Sequence, residues 1–242
     1  MKKYILILAI ATVAIFTACK KESITPTVSD KLTPAVVAYS HSGLGDNCNS
    51  VPTGTHIQLP SHISIVGQIV AAAPGSKSGL YLFKSAAATP YILKDKGEFT
   101  PVGAGDIGIN ITFNNSSSNG ISFTLPGGLL FIDDTITQDD TTRIPPQHCL
   151  LLKDVQVTVP AGGTTKIQVL TFCANHHNSS PYGITYTFGP VSNYPGLVEL
   201  VGIMKNKQYP VTNVGGVQTC VWDITNENGL TAADRSFLST LQ

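Results

Sequence analysis

Cys173 lies in the stretch LTFCANHHNSSPY, residues 170–182, with His176 and His177 close behind it. A thiol in such a setting has four uses: metal ligand, half of a disulfide, core residue or nucleophile. Cys173 and His176 have the C-x-x-H spacing of some blue-copper centres, which also need an upstream histidine and usually an axial methionine. His41, His56 and His62 lie upstream without a supporting pattern, and Met204 falls on an apolar helical stripe. A copper-binding sandwich is therefore kept only as a second alternative. No metal ligand is assigned and no cofactor is called for, and His176 and His177 read as exposed loop residues.

A second residue stands out forty-five positions later, in VGGVQTCVWDIT. At about 100° per residue, Gln218 falls among Val214, Val217, Val221 and Trp222, in the middle of an apolar helix face. A buried amide without partners costs about 1–3 kcal/mol. Gln218 therefore either hydrogen-bonds backbone in the neighbouring layer or is itself bonded through its carbonyl carbon. The strand before it, residues 166–173, sets Ile167, Val169, Thr171 and Cys173 on one face and Lys166, Gln168, Leu170 and Phe172 on the other. If Ile167 and Val169 face a core, Cys173 does too, and a buried thiol can meet a buried amide. Cys220 lies about 110° from the centre of the apolar stripe and is the less natural partner.

From about residue 121 to 241 the chain resembles the thioester domains of bacterial surface adhesins and related secreted proteins. The resemblance rests on TFCAN at 171–175 and VQTCVWDIT at 217–225, with YTFGPV at 186–191 and the closing GLTAAD in support. In that family a cysteine after an aromatic residue bonds to the glutamine of a Q-x-A-[IV]-W motif. The resemblance implies a Cys173–Gln218 thioester, with Trp222 as the motif tryptophan. Cys220 stands where the motif has alanine. The implied chemistry is a thiolate attacking a carboxamide and expelling ammonia, leaving an acyl group that a lysine or small amine captures. It runs once and is not enzymatic turnover.

These residues need a scaffold. Ile107, Ile109, Ile111 and Phe113 alternate with small or polar residues, as do Ile121, Phe123 and Leu125, and Val155, Val157 and Val159, so all three runs read as half-buried strands. Further strands are expected near residues 63–71, 80–83, 129–132 and 166–173, punctuated by turns such as NNSSSNG and PAGG. The expected fold is mainly β, an antiparallel β-sandwich over residues 56–192 with a small helical C-terminal part over 193–242. Pro195 opens a first helix, with Leu197, Leu200, Val201 and Met204 on its buried stripe. Val214, Val217, Val221 and Ile224 mark a second. Thr231 and Asp234 make a capping-box variant for a third, which buries Phe237, Leu238 and Leu241. Leu200, Val201, Val221 and Trp222 are expected to be buried against the sandwich.

GAGDIG at 103–108 matches a dinucleotide glycine pattern, but a strand follows it and no helix does, so it reads as a loop. NENGLTAAD echoes a calcium loop, yet Ile224 occupies the first ligand position, and a turn with a helix cap explains it better. DDTITQDDTT at 133–142 reads as a solvated loop. Its Asp134-Thr135-Ile136 and Asp140-Thr141-Thr142 resemble a short O-glycan acceptor motif of exported bacterial proteins, a pattern short enough to arise by chance.

The N-terminus places the protein. Lys2 and Lys3 precede an apolar run from Tyr4 to Phe16, and FTAC follows. This is the layout of a secretory signal over residues 1–18, and its end resembles a bacterial lipobox with Cys19 as the lipidated (palmitate-bearing) first residue. Lys20 and Lys21, with no aspartate directly after Cys19, favour an outer-membrane lipoprotein, periplasmic or surface-exposed. Residues 19–55 are rich in polar residues and proline and read as a tether. The chain is neutral, with 15 basic and 15 acidic residues. No basic stripe appears, so nucleic acid is not an expected partner. The expected partners are a membrane through the anchor and an amine-bearing surface protein or small amine. A non-catalytic interaction lipoprotein, with Cys48, Cys149, Cys173 and Cys220 free to make two disulfides in any of three pairings, is the first alternative.

Overall fold

The computed structural model of the chain describes residues 43–45, 52–71, 99–133, 146–226 and 229–242. The expected lipid anchor at Cys19, the strand at 80–83, residues 134–142 of the aspartate-rich loop, His41 and Cys48 lie outside the described residues. The chain is mainly β, as the alternation predicts, with helices at its C-terminal end. Among the described residues eleven strands run in chain order: β1 (Gly54–His56), β2 (Ile63–Ile65), β3 (Ile69–Ala71), β4 (Thr100–Gly103), β5 (Ile107–Asn115), β6 (Ile121–Leu125), β7 (Leu129–Asp133), β8 (Cys149–Leu150), β9 (Val155–Val159), β10 (Thr164–Cys173) and β11 (Thr185–Ser192). Three α-helices follow among the described residues: α1 (Pro195–Met204), α2 (Val214–Asn226) and α3 (Ala232–Thr240).

The detail that differs from a sandwich is closure. β5, β3, β11, β7, β8 and β10 pair in that order, and β10 pairs back onto β5, giving a closed six-stranded antiparallel barrel. Alternation predicts one buried face per strand in either architecture, so it does not distinguish them. Closure depends on β10, whose ten residues pair with β5 along most of its length and with β8 at Phe172 and Cys173. β2 pairs antiparallel with β5 and β1 with β11, and β4 lies parallel to β10. The separate β6–β9 ribbon adds Leu125, Val155, Val157 and Val159 to the apolar cluster of the barrel interior.

Two cores result, one on each side of the barrel wall. Inside are Ile107, Ile109, Ile111, Phe113, Phe131, Cys149, Ile167 and Val169, with Cys173 packed against them. Outside, Leu130, Leu150, Phe172 and Ala174 meet Leu197, Leu200, Met204, Val217, Val221, Ile224 and Leu238 from the helices. The end of β10 is therefore buried on both faces, which makes it the shared wall on which the helical layer rests.

The helices begin as the sequence dictates. Pro195 occupies the first turn of α1, where its missing N–H costs nothing. The α3 capping box is complete: the Asp234 N–H donates to Thr231 Oγ1 at 3.1 Å, and the Thr231 N–H donates to Asp234 Oδ2 at 2.6 Å. Leu238 and Leu241 are buried and Phe237 is half-buried. Leu200 and Val221 are buried as expected, whereas Val201 and Trp222 are only half-buried. Cys220 is buried at 1% exposure, against the expectation that its angle turns it off the packed stripe. α3 explains this, because it covers a second flank of α2 that a single-layer helical wheel treats as open. Among the described residues no helix is long and apolar enough to cross a membrane.

Candidate functional site: the Cys173 backbone and the Gln218 amide

The site forms where a strand runs out. β5 and β10 pair from Thr164 opposite Asn114 to Thr171 opposite Ile107. There the chain leaves the ladder through residues 104–106, and the Asp106 N–H donates to the Thr171 carbonyl at 3.1 Å. Gly105 crosses so close that a Cβ on it would collide with the Thr171 backbone, which is why the GAGDIG stretch carries a glycine here. The pattern serves a backbone crossing between β4 and β5, in keeping with its reading as a loop.

Beyond Thr171, β10 continues without β5. On its other side, the Ala174 N–H donates to the His148 carbonyl at 2.9 Å, so the β8 rung falls at 174/148 and Cys173 opposite Cys149 is a non-hydrogen-bonded pair. The N–H and C=O of Cys173 consequently point away from β8, toward the side β5 has vacated. Gln218 fills that side. Its Oε1 accepts from the Cys173 N–H at 2.8 Å, and its Nε2 donates to the Cys173 carbonyl at 2.8 Å. The amide is 4% exposed and takes the place of a missing strand neighbour.

The structure thus brings the two sequence-predicted residues together across a sequence separation of 45. It brings them together differently from the expectation of a shared core. Cys173 does share a face with Ile167 and Val169, but that face is the barrel interior, whereas α2 packs on the opposite face with Phe172 and Ala174. Gln218 therefore meets the Cys173 backbone at the strand edge. The thiol is half-buried; burial first, then Cys149 and Asp106 nearby, push it well above the usual thiol range. Burial also raises Asp106 above the ordinary carboxylate range.

Trp222, the motif tryptophan, packs against His176 with ring centroids 4.2 Å apart and planes tilted by 48°, and its Nε1 has no hydrogen-bond partner. His176 and His177 are exposed and adjacent, with centroids 4.5 Å apart. Among the described residues no three His, Cys, Asp or Glu side chains are placed to hold a metal ion. Cys149, Cys173 and Cys220 are free thiols. Cys220 lies on the flank of α2 near Asp234 and Asp223, and its thiol is pushed up to about 12, chiefly by burial.

One residue that sequence reasoning missed is Asn175. It is fully buried, accepts from the His148 N–H at 2.8 Å, and donates to the Gly45 carbonyl at 2.7 Å. Through it the end of β10 is tied to β8 and to residues 43–45, which lie inside the stretch read as a tether. Leu44 is packed in the helix-side core, and Gly45 sits against the Thr225 backbone too closely for any Cβ. An asparagine two residues past the cysteine, where the strand ends, was the available signal. Comparisons with protein-family models, with curated proteins and with solved structures find no match.

Proposed function

We propose that the chain is a lipid-anchored protein of the bacterial cell envelope, held in the outer membrane through Cys19. It attaches to an external amine-bearing partner through a thioester between Cys173 and Gln218. The observation that carries this reading is the paired hydrogen bonding of the Gln218 carboxamide to Cys173. When Cys173 Sγ attacks Gln218 Cδ, negative charge develops on Oε1, which the nucleophile's own N–H already contacts at 2.8 Å. The leaving nitrogen is oriented by the Cys173 carbonyl. The S–C bond forms, the C–N bond breaks, and the thiol proton leaves with the nitrogen as ammonia. An incoming amine then makes an amide at Cδ and returns the proton to sulfur. The burial of Gln218 guards the acyl carbon from water, while Cys173, only partly buried, leaves an approach for an amine.

The rival reading, a non-catalytic interaction lipoprotein, has its own support. Both ends of the amide are satisfied without a covalent bond, and the Cys173 side chain packs with the barrel interior. Methylamine decides between them. In a thioester protein it adds to Gln218 and frees one thiol. Cys173→Ala and Gln218→Ala each abolish the addition. Cys220→Ala leaves it intact, because that thiol is on the far flank of α2. Absence of methylamine on Gln218 in the wild-type protein assigns the amide to a purely hydrogen-bonded role.

A further inference from the structure

Cys173 has a second neighbour, across β10 from the first, on the β8 side. In the register of β8 and β10 it stands directly opposite Cys149. The ladder rung at Ala174 and His148 makes this a non-hydrogen-bonded pair, the kind in which facing side chains approach most closely. Such pairs have Cα atoms about 4.5 Å apart, inside the range of about 4.4–6.8 Å that a disulfide spans. Directly opposed residues also project from the same face of the sheet. Both thiols indeed belong to the barrel-interior cluster. Cys220 belongs to the other core, across the barrel wall.

We infer that Cys149 and Cys173 form a redox-active cross-strand pair, a disulfide site that competes with Gln218 for the Cys173 sulfur. The two S–H bonds break and one S–S bond forms. Two protons and two electrons pass to a disulfide oxidant, which is reduced to two thiols. Cys173 is the less buried of the two residues, so it meets the oxidant first and gives a mixed disulfide; the fully buried Cys149 then resolves it. Bridged in this way, Cys173 holds neither a thioester nor a thiol able to make one, and reduction restores it. The competition rests on the thioester reading; the disulfide itself does not.

The test uses the mature full-length chain. A phosphine reductant is applied and removed, methylamine is added so that any thioester is opened, and oxidised glutathione follows. The expected product is lighter by two hydrogens, and its non-reducing peptide map joins the Cys149 and Cys173 peptides. Cys149→Ala should instead retain glutathione on Cys173, and Cys220→Ala should leave the link unchanged. A lasting glutathione adduct on Cys173 in the wild type, a link to Cys48 or Cys220, or an unchanged mass overturns the pairing. If the link forms although methylamine has not added to Gln218, the pair stands and the thioester fails. If methylamine adds and no link forms, the thioester stands and the pair fails.

Discussion

Replacing Cys173 with alanine separates a covalent bond from a hydrogen-bonded one, because both hydrogen bonds of the Gln218 side chain are made with the Cys173 backbone. Alanine keeps both of them. If the amide is only docked, Cys173→Ala loses a half-buried sulfur, worth about 1 kcal/mol by the area it removes from water. If the thioester is closed, the variant also loses a cross-link joining residues 45 apart. Loop-closure entropy puts a cross-link of that span at about 4 kcal/mol. The total is then about 5 kcal/mol. A domain of this size shifts by about 2–4 °C per kcal/mol. Cys173→Ala should therefore lower Tm by about 10–20 °C, and a docked amide by about 2–4 °C. The assay is thermal unfolding followed by Trp222 fluorescence and circular dichroism, in a phosphine reductant so that no disulfide contributes. A fall of only a few degrees, matched by Cys173→Ser, would refute the covalent link.

Gln218→Glu keeps an oxygen for the Cys173 N–H but, when ionised, offers no donor to the Cys173 carbonyl. Burial and that facing carbonyl raise the folded pKa above the unfolded value of about 4.3. Made on the Cys173→Ala background, where no thioester forms, its stability should thus match that background near pH 4 and fall below it as pH rises through the folded pKa; a deficit constant with pH contradicts this. His148 is 1% exposed, neither of its ring nitrogens has a hydrogen-bond partner, and burial lowers its pKa to about 4 despite the opposing influence of Asp133. The unfolded chain binds this proton more readily, so stability present above pH 6.5 should be lost as pH falls toward 4, by up to about 3 kcal/mol. His148→Leu should flatten that part of the urea-unfolding profile, and an unchanged slope would contradict it. Cys19→Ser should abolish lipid labelling and release the protein from membranes; continued labelling and membrane fractionation refute the anchor.

What was legible in the sequence follows from period and local chemistry. Ile107 to Phe113 announce their buried face by alternation alone, and Thr231 with Asp234 announces a helix start through a local exchange of hydrogen bonds. Gln218 betrays itself as an amide on an apolar face. What was not legible depends on non-local pairing. β8 is two residues long and shows no period, yet it closes the barrel and sets Cys149 opposite Cys173. A strand face argues that Cys173 is inward but does not say which of two cores is meant. That ambiguity hid the edge-on approach of Gln218. Cys220 and Trp222 were misjudged for the same reason, since the burial of a helical residue depends on how many neighbours the helix has. α3 covers the first of these, while the second leans on the exposed His176.

The most direct test of the Cys173–Gln218 thioester is the intact mass of freshly prepared protein, corrected for the lipid anchor. A closed thioester predicts a mass one ammonia below that of the sequence, and full sequence mass in both Cys173→Ala and Gln218→Ala. A wild-type mass equal to the sequence, or lowered only by pairs of hydrogens, contradicts it.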